Sequence, residues 1–420
     1  MSFQLIEPRP GVLVEVAEGP ELLSELDVGP GLAAHRELFG VAESLGVTEL
    51  SDKVVALRGR GGAGFPFATK LAAVAGQARR RPGANPVVVV NGAEGEPASA
   101  KDAALLALRP HLVFDGAEAA ASALHASDLH VVVGSDATQA AVRRAIAERA
   151  SERGRGRLRW SVHRAADRFV AGQSRAIIEL MSGRTNLPVT SWAPEAVSGY
   201  RGRPTLLSNT ETFAQVAAAL AGRGGSSPGQ ASGEEGTTLL TLGRQGRPEL
   251  VREVPLGSAW RHVLGAEQSW TSPVLLGGYH GTWARPGELA SLTISRTALA
   301  ESGLCLGAGV VQLLGDELCP VVETVRILAY LARESALRCG PCAHGLPALA
   351  RVLAQVASGV DERRQLRHLV GLVEGRGACA HPDGTARLVR SLLEKFPGEV
   401  DAHLDGDCCV RLDARRGCLR

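Results

Sequence analysis

Two cysteines, Cys339 and Cys342, sit at C-x2-C spacing in Arg-Cys-Gly-Pro-Cys-Ala-His-Gly, and Cys379 follows in Gly-Ala-Cys-Ala-His-Pro. Thiolates spaced this way hold iron–sulfur clusters, commonly as C-x2-C-x2-C. The position that would complete that run is Ala336, which has no donor atom. The stretch reads either as a cluster loop with one ligand lost or as no cluster loop at all.

A second chemical stretch lies near the other end. Gly59, Arg60, Gly61, Gly62, Ala63, Gly64 and Phe65 precede an apolar, helix-like run carrying Lys70. Glycine tolerates positive φ and close backbone approach. Successive free N–H groups ahead of a helix form a nest suited to phosphate. Arg60 and Lys70 add positive charge. A third stretch, Asn-Gly-Ala-Glu-Gly-Glu-Pro at 91–97, offers Asn91, Glu94 and Glu96. Read alone it is a solvated turn, although an asparagine can both donate to and accept from a heterocycle edge. Ser208, Asn209 and Thr210 follow another apolar step, where a helix N-cap is the plain reading.

The elements that must hold these residues alternate. Asn-Pro-Val-Val-Val-Val (85–90) and Asp-Leu-His-Val-Val-Val (128–133) are β-branched runs fit for strands buried on both faces. Each ends in a polar turn and leads into a helical pattern. Strand–turn–helix units in this order imply a Rossmann-like parallel sheet with ligands at its carboxyl edge. A helix is expected from Leu32 to about Leu45. Gly-Arg-Gly-Gly-Ser-Ser-Pro near 222–237 reads as a linker. Two short strands and a helix follow it, then a further strand and turn, and from about residue 319 the periodicity is helical.

These pieces, in this order, resemble the NADH-oxidising flavoprotein subunit of respiratory complex I, a family also found in bidirectional hydrogenases and NAD-dependent formate dehydrogenases. Its FMN loop, G-R-G-G-x-G-F with a following lysine, matches Gly59–Phe65 and Lys70. Its N-x-D-E-x-E-P segment followed by K-D matches Asn91, Glu94, Glu96, Pro97, Lys101 and Asp102, and its P-T-x-x-N-N-x-E-T matches Pro204, Thr205, Asn209, Glu211 and Thr212. The resemblance implies a multidomain α/β chain. It divides into an N-terminal helical segment (1–50), a Rossmann-like FMN and dinucleotide domain (51–225), a β-grasp domain of the soluble-ligand-binding type (236–315) and a helical iron–sulfur domain (316–420). It implies FMN held by the glycine loop, Lys70, Asn91, Glu94, Gly172, Ser208, Asn209 and Thr210. Phe65 and Glu96 would face NAD(H), and Cys339, Cys342 and Cys379 would hold a 4Fe-4S-type cluster, with a ferredoxin-like or complex I-type partner.

There are departures from the family pattern. Its Asp is Ala93, its first Asn is Ser208, and the two glutamates of Y-x-x-G-E-E-T are Gln173 and Ser174 after Phe169 and Gly172. Ala73 replaces an aromatic residue. The phosphate cradle is therefore better kept than the nicotinamide pocket. For the fourth cluster position the open candidates are His344, His381, a C-terminal thiol (Cys408, Cys409 or Cys418), or none. Cys305 and Cys319 are expected to pack as small buried hydrophobes. Besides an NADH-using oxidoreductase, two readings stand: an FMN and iron–sulfur carrier that exchanges electrons with a protein partner without NADH, and a non-catalytic scaffold.

The bulk numbers fit a soluble globular chain. Of 420 residues, 45% are hydrophobic and 21% charged, with net charge +2, which gives no reason to invoke nucleic acid or an acidic membrane. No apolar run reaches bilayer length and no secretory pattern opens the chain, so a cytoplasmic location is expected. All eight cysteines lie after residue 300, unlike a disulfide scaffold.

Overall fold

The structure, a computed structural model, describes residues 3–152, 158–223, 234, 236–243, 246–264, 272–315 and 317–408. Most of the expected linker at 222–237, and Cys409 and Cys418, lie outside the described residues. The chain divides into two compact units, Met1–Leu187 with Ser191–Ser258, and Pro188–Thr190 with Ala259–Arg420.

The first fifty residues, expected to be helical, begin instead as an antiparallel hairpin of β1 (Phe3–Arg9) and β2 (Val12–Ala17). Pro10 and Gly11 make its turn, with Gly11 at φ +75. On β2, Val14 and Val16 are buried. That alternation is the period of a half-buried strand, not of a helix. Helix α1 (Leu32–Phe39) stops at Gly40, whose φ of 71 suits a helix end, and α2 (Val47–Lys53) begins anew after Gly46.

The core of the first unit is a four-stranded parallel sheet: β3 (Val87–Gly92), β4 (Asp128–Val133), β5 (Arg159–Arg164) and β6 (Thr205–Asn209), in the order β5-β4-β3-β6. Helices α4 (Lys101–Leu108) and α5 (Pro110–Ala123) carry the chain from β3 to β4, and α6 (Asp136–Ala150) carries it on to β5. The chain then passes through α7 (Ser174–Met181) and returns to the other side of β3 as β6, followed by α8 (Thr210–Leu220). The valine run of β3 serves two cores. Val88 and Val90 belong to the cluster that includes Leu112 and Phe213, while Val87 and Val89 belong to the cluster with Ile177 and Ile178. Both faces are covered, which is why the strand is a continuous apolar run. The strand order reverses direction between β3 and β6, and an open α/β sheet has its ligand crevice at the carboxyl ends of such a pair. Helix α3 (Phe67–Arg80) follows the glycine loop and packs beside β6. Strands β7 (Thr237–Gly243) and β8 (Glu249–Pro255) are antiparallel, and β8 runs parallel to β2.

The second unit starts with a short helix α9 (Arg261–Leu264), the hairpin β9 (Val274–Leu276) and β10 (Thr282–Ala284), α10 (Arg296–Glu301) and β11 (Val310–Leu313), which pairs with β9. Five helices follow: α11 (Pro320–Arg333), α12 (Leu346–Ala357), α13 (Arg363–Val373), α14 (His381–Lys395) and α15 (Pro397–Leu404). Their leucine and valine stripes bury Leu328, Leu331, Leu349, Leu353, Leu366 and Leu392. Helix α11 packs on α12 and α14, and α13 packs on both of those. The ends of α11 and α13 and the starts of α12 and α14 thus share one end of the bundle. Among the described residues no helix is long and apolar enough to cross a membrane.

Candidate functional site

The crevice at β3 and β6 is built from the residues the sequence singled out. Asn91 and Asn209 end the two strands and are register partners. The glycine loop closes on itself: Arg58 bridges Pro66, and the Gly59 amide donates to Phe65 O at 2.9 Å. Gly62 and Gly64 have φ of 100 and 62, a conformation glycine takes at little cost. A Cβ on Gly61 would lie 3.2 Å from Asn209 Cβ, so the loop backbone stands directly against the end of β6. Lys70, one turn into α3, donates through Nζ to Leu207 O at 3.0 Å. Burial lowers its pKa while Glu195 opposes the shift. An ammonium has three donors, and a desolvated one gains from an added anion.

Behind the crevice lies a buried ion network. Lys101 Nζ lies 2.9 Å from Asp102 Oδ1, 3.0 Å from Glu211 Oε2 and 3.2 Å from Asn209 Oδ1. Asn209 Nδ2 donates to Asp102 Oδ2 at 2.5 Å, and its Oδ1 accepts from the Glu211 amide as the N-cap of α8. Glu211 Oε1 accepts from Thr238 Oγ1 and the Leu239 amide. Burial works against the charge of Lys101, but Asp102 and Glu211 hold its pKa above the ordinary value. Burial raises the Asp102 carboxyl to about 6, against the pull of Lys101. The network fixes the rotamer of Asn209.

Arg60 joins this network. Arg60 is 3% exposed, and its guanidinium donates to Thr237 O at 2.9 Å while its amide donates to Thr212 Oγ1. The side chain is turned into the protein, so its charge is not delivered to the loop surface as expected. Glu94 is likewise engaged: its carboxylate accepts from Ser99 Oγ and from the amides of Asp102 and Ala103, capping α4. Lys101, Asp102 and Glu211 were assigned no role from the sequence. An adjacent Lys-Asp pair at a helix start is a charge pattern that gives no sign of burial.

Asn91 Nδ2 donates to Gly172 O at 2.9 Å. A Cβ on Gly172 would lie 2.4 Å from Ala93 O, and one on Gly95 would lie 2.2 Å from Phe169 O. The 168–174 segment is therefore docked backbone to backbone on the turn after β3. Gln173 is the N-cap of α7 and Ser174 its first residue, and the first turn carries no acidic side chain. Thr210 Oγ1 donates to Asn91 O, and Ser208 is buried beside it on β6. Phe65 is 51% exposed at the mouth of the loop, and Glu96 Oε1 accepts from the Ala98 amide. A glycine-rich loop with two left-handed glycines and a desolvated lysine fits a phosphate-bearing ligand.

The second site lies at the bundle end where α12 and α14 begin. Cys339 and Cys342 precede α12, and Cys379 precedes α14. The three thiols interact: burial first, then Cys339 and Cys379, pushes the Cys342 thiol up to about 12, and burial raises Cys379. Thiols this reluctant to ionise are typical of a buried group, and a metal supplies the missing counter-charge. Pro341–Gly345 is a π-turn, closed by the Leu346 amide on Pro341 O, and it buries Cys342. A Cβ on Gly377 would lie 2.7 Å from Cys379 O, so that turn is tight. The His381 amide donates to Cys379, and the Ser335 hydroxyl hydrogen-bonds with Cys342. This donor set fits an iron–sulfur cluster with three thiolates.

The fourth position is narrowed. Ala336 is buried and offers no donor. His381 has both ring nitrogens engaged, Nε2 with Leu331 O at 2.9 Å and Nδ1 with His280 Nε2 at 3.0 Å. Cys408 lies near Cys319, at the start of α11. At 1.5 Å per residue α11 is about 21 Å long, so Cys408 is out of reach of the cluster loop. His344 is exposed on the π-turn. Cys305 is not a buried hydrophobe as expected: it is half-buried, with Arg387 Nη1 3.7 Å from its Sγ.

An α/β unit with an anion cradle at its switch point and a helical unit with three convergent thiols together define a chain made to hold a phosphate-bearing cofactor and an iron–sulfur group. Residues 53–218 match the Nuo51 FMN-binding domain, and residues 323–403 match the NADH-ubiquinone oxidoreductase-F iron-sulfur binding region. An F-type NADH-quinone oxidoreductase subunit of Rhizobium meliloti, the one numbered 2, is 30% identical over 94% of this chain and 97% of its own. Its F-type counterpart in Escherichia coli is 29% identical over 88% of this chain and 86% of its own. The structure of an NAD+-reducing NiFe-hydrogenase in the H2-reduced state matches with a TM-score of 0.78 and 26% identity, over 93% of this chain and 67% of that one. The chain belongs to the family of F-type NADH-quinone oxidoreductase subunits.

Proposed function

We propose that this chain is an NADH-oxidising electron-input subunit that carries FMN and an iron–sulfur cluster. The observation that carries the reading is the meeting of the glycine loop with Asn91 and Asn209 at the β3–β6 switch point. In this reading the amides of Gly61, Gly62 and Gly64 and the Lys70 ammonium receive the FMN phosphate, while Gly59 and Arg60, whose own amides are bonded to Phe65 O and Thr212 Oγ1, hold the loop in shape. Asn91, Ser208, Asn209 and Thr210 line the isoalloxazine side, with Glu94 and Gly172 supporting that turn. FMN, when bound, accepts an electron pair as hydride and releases electrons singly. The protein's part is to orient and to shield: Phe65 and Glu96 form the nicotinamide side, and the buried ion network keeps Asn209 rigid. Cys339, Cys342 and Cys379 hold the cluster, with the fourth corner filled by a group other than Ala336, His381 or Cys408. We divide the chain as a Rossmann-like FMN domain, a β-grasp domain over 236–315 and a helical cluster domain, and infer a complex I-type partner subunit as electron acceptor.

One observation favours a second reading, in which a ferredoxin-like partner replaces NADH: the first turn of α7 carries no acidic residue. Anaerobic titration with NADH separates the two. Bleaching of the flavin band at stoichiometric NADH supports the first. A protein that binds FMN but whose band is untouched by excess NADH, and bleaches with reduced ferredoxin, refutes it.

A further inference from the structure

A second group of metal-binding atoms lies at the other end of the helical bundle. Cys319, His403 and Cys408 place their Sγ and ring-nitrogen atoms all within 4.8 Å of one another. Cys319 Sγ is 3.2 Å from His403 Nε2. Tetrahedral zinc with Zn–S near 2.3 Å and Zn–N near 2.0 Å needs donor–donor separations of roughly 3.5–3.8 Å. The Cys319–His403 separation is just under that range and no other exceeds 4.8 Å, so small side-chain movements suffice. Cys319 and His403 are buried and Cys408 is half-buried, so two donors are shielded while one side is open.

Three elements converge to build the group. Cys319 is the N-cap of α11 and makes no side-chain cap bond to that helix; its sulfur meets His403 instead. His403 lies in the last turn of α15, where its Nδ1 hydrogen-bonds Ala357 O at 2.9 Å. A carbonyl only accepts, so Nδ1 carries the proton and Nε2 presents its lone pair toward Cys319. This is how the outer hydrogen bond of a metal-ligating histidine sets its tautomer and orientation. Cys408 is returned to the group by a helix stop. Gly406 takes φ 78, the Asp407 amide donates to Ala402 O at 2.8 Å and the Gly406 amide to His403 O at 3.3 Å. Those two bonds and the left-handed glycine form a Schellman motif, which reverses the chain after α15.

We infer that Cys319, His403 and Cys408 bind a zinc ion, with the fourth position open to solvent or an added ligand. Two sulfurs and one imidazole are the donor set zinc accepts at structural and catalytic sites alike. The site is separate from the iron–sulfur thiols, which follow the other end of α11. Its effect is to fasten the chain after α15 to the start of α11.

The test uses the whole chain, isolated anaerobically with its cluster, with iron and zinc measured together by mass spectrometry. Zinc near one per chain is expected beside the iron, with Zn2+ alone restoring it after stripping by a chelator. His403→Ala and Cys408→Ser should each lower zinc affinity by roughly ten- to a hundredfold or more, with iron and sulfide unchanged. Cys379→Ala should do the converse, losing iron and keeping zinc. Co2+ in place of zinc should give thiolate charge-transfer absorption that Cys408→Ser removes. A wild-type chain that neither contains zinc nor takes up Zn2+ against a competing chromophoric chelator overturns the assignment. So does Cys408→Ser with unchanged zinc, or a Cys319–Cys408 disulfide found by peptide mapping of anaerobically prepared protein.

Discussion

Replacing Lys101 with methionine keeps the length of the side chain and removes its charge. Lys101 is 3% exposed, and its ammonium stands 2.9 Å from Asp102 and 3.0 Å from Glu211. Each such contact carries about 5 kcal/mol of attraction at an effective dielectric of about 20, most of it offset by desolvation. Removing one member of a buried pair nevertheless costs about 3–5 kcal/mol, because the remaining charge is left uncompensated. For a unit of this size that loss lowers the unfolding temperature by roughly 10 °C. The deficit should depend on pH. Burial already holds Asp102 at about 6 with the lysine present. Without the lysine it rises further, and a carboxyl whose folded pKa is raised loses stability as pH rises through that value. Lys101→Met should therefore be far below wild type at about pH 8 and approach it at about pH 5. Thermal unfolding followed by circular dichroism at both pH values reads this directly. A deficit under about 1 kcal/mol, or one equal at the two pH values, would refute the claim that the network is ionic and buried.

Ala336→Cys should raise iron toward about four per chain and slow cluster loss in air, read by iron and sulfide analysis. Gly172→Ala puts a Cβ 2.4 Å from Ala93 O, a backbone clash costing about 1–3 kcal/mol. FMN affinity should fall, as recovery of flavin fluorescence on dilution would show. Burial depresses His111 and His130 to about 4 each. Both stay neutral in the fold, so the stability they confer is present above about pH 6.5 and is lost as pH falls toward about 4. Melting temperatures stepped across that window should drop, and His130→Phe should flatten part of the slope.

The central sheet was legible because buried parallel strands announce themselves: Val87–Val90 and Leu129–Val133 leave no other use for so much β-branched surface. The C-x2-C spacing singled out Cys339 and Cys342 in the sequence, whereas Cys379 was joined to them only through the family resemblance. The hairpin at the N-terminus was not, since Pro8 and Pro10 interrupt its alternation and several of its side chains, Leu5 and Leu13 among them, are exposed. The early end of α1 could have been read from Gly40. The inward turn of Arg60 could not, because its partner Thr237 O lies 177 residues away. Lys101 is a similar case: whether an adjacent Lys-Asp pair faces water or Glu211 is decided by β7, far along the chain. Cys408 and His403 meet Cys319 through a helix stop at Gly406, a signal present in the sequence but overshadowed by the cluster loop.

The wide turn at Pro341–Gly345 has a consequence for insertions and deletions. A π-turn holds one residue more than the α-helix it interrupts. The turn can therefore absorb the loss of Ala343 by closing to ordinary pitch, whereas a residue lost from the regular part of α12 rotates what precedes it by about 100° about the axis. With such a residue gone, Cys339 and Cys342 would swing away from Cys379 while Leu353 and Val356 kept their places in the core. Metal competence at this end of the bundle is thus a matter of phase as much as of composition: a chain one residue shorter in α12, with every thiol intact, would have its ligands pointing in different directions.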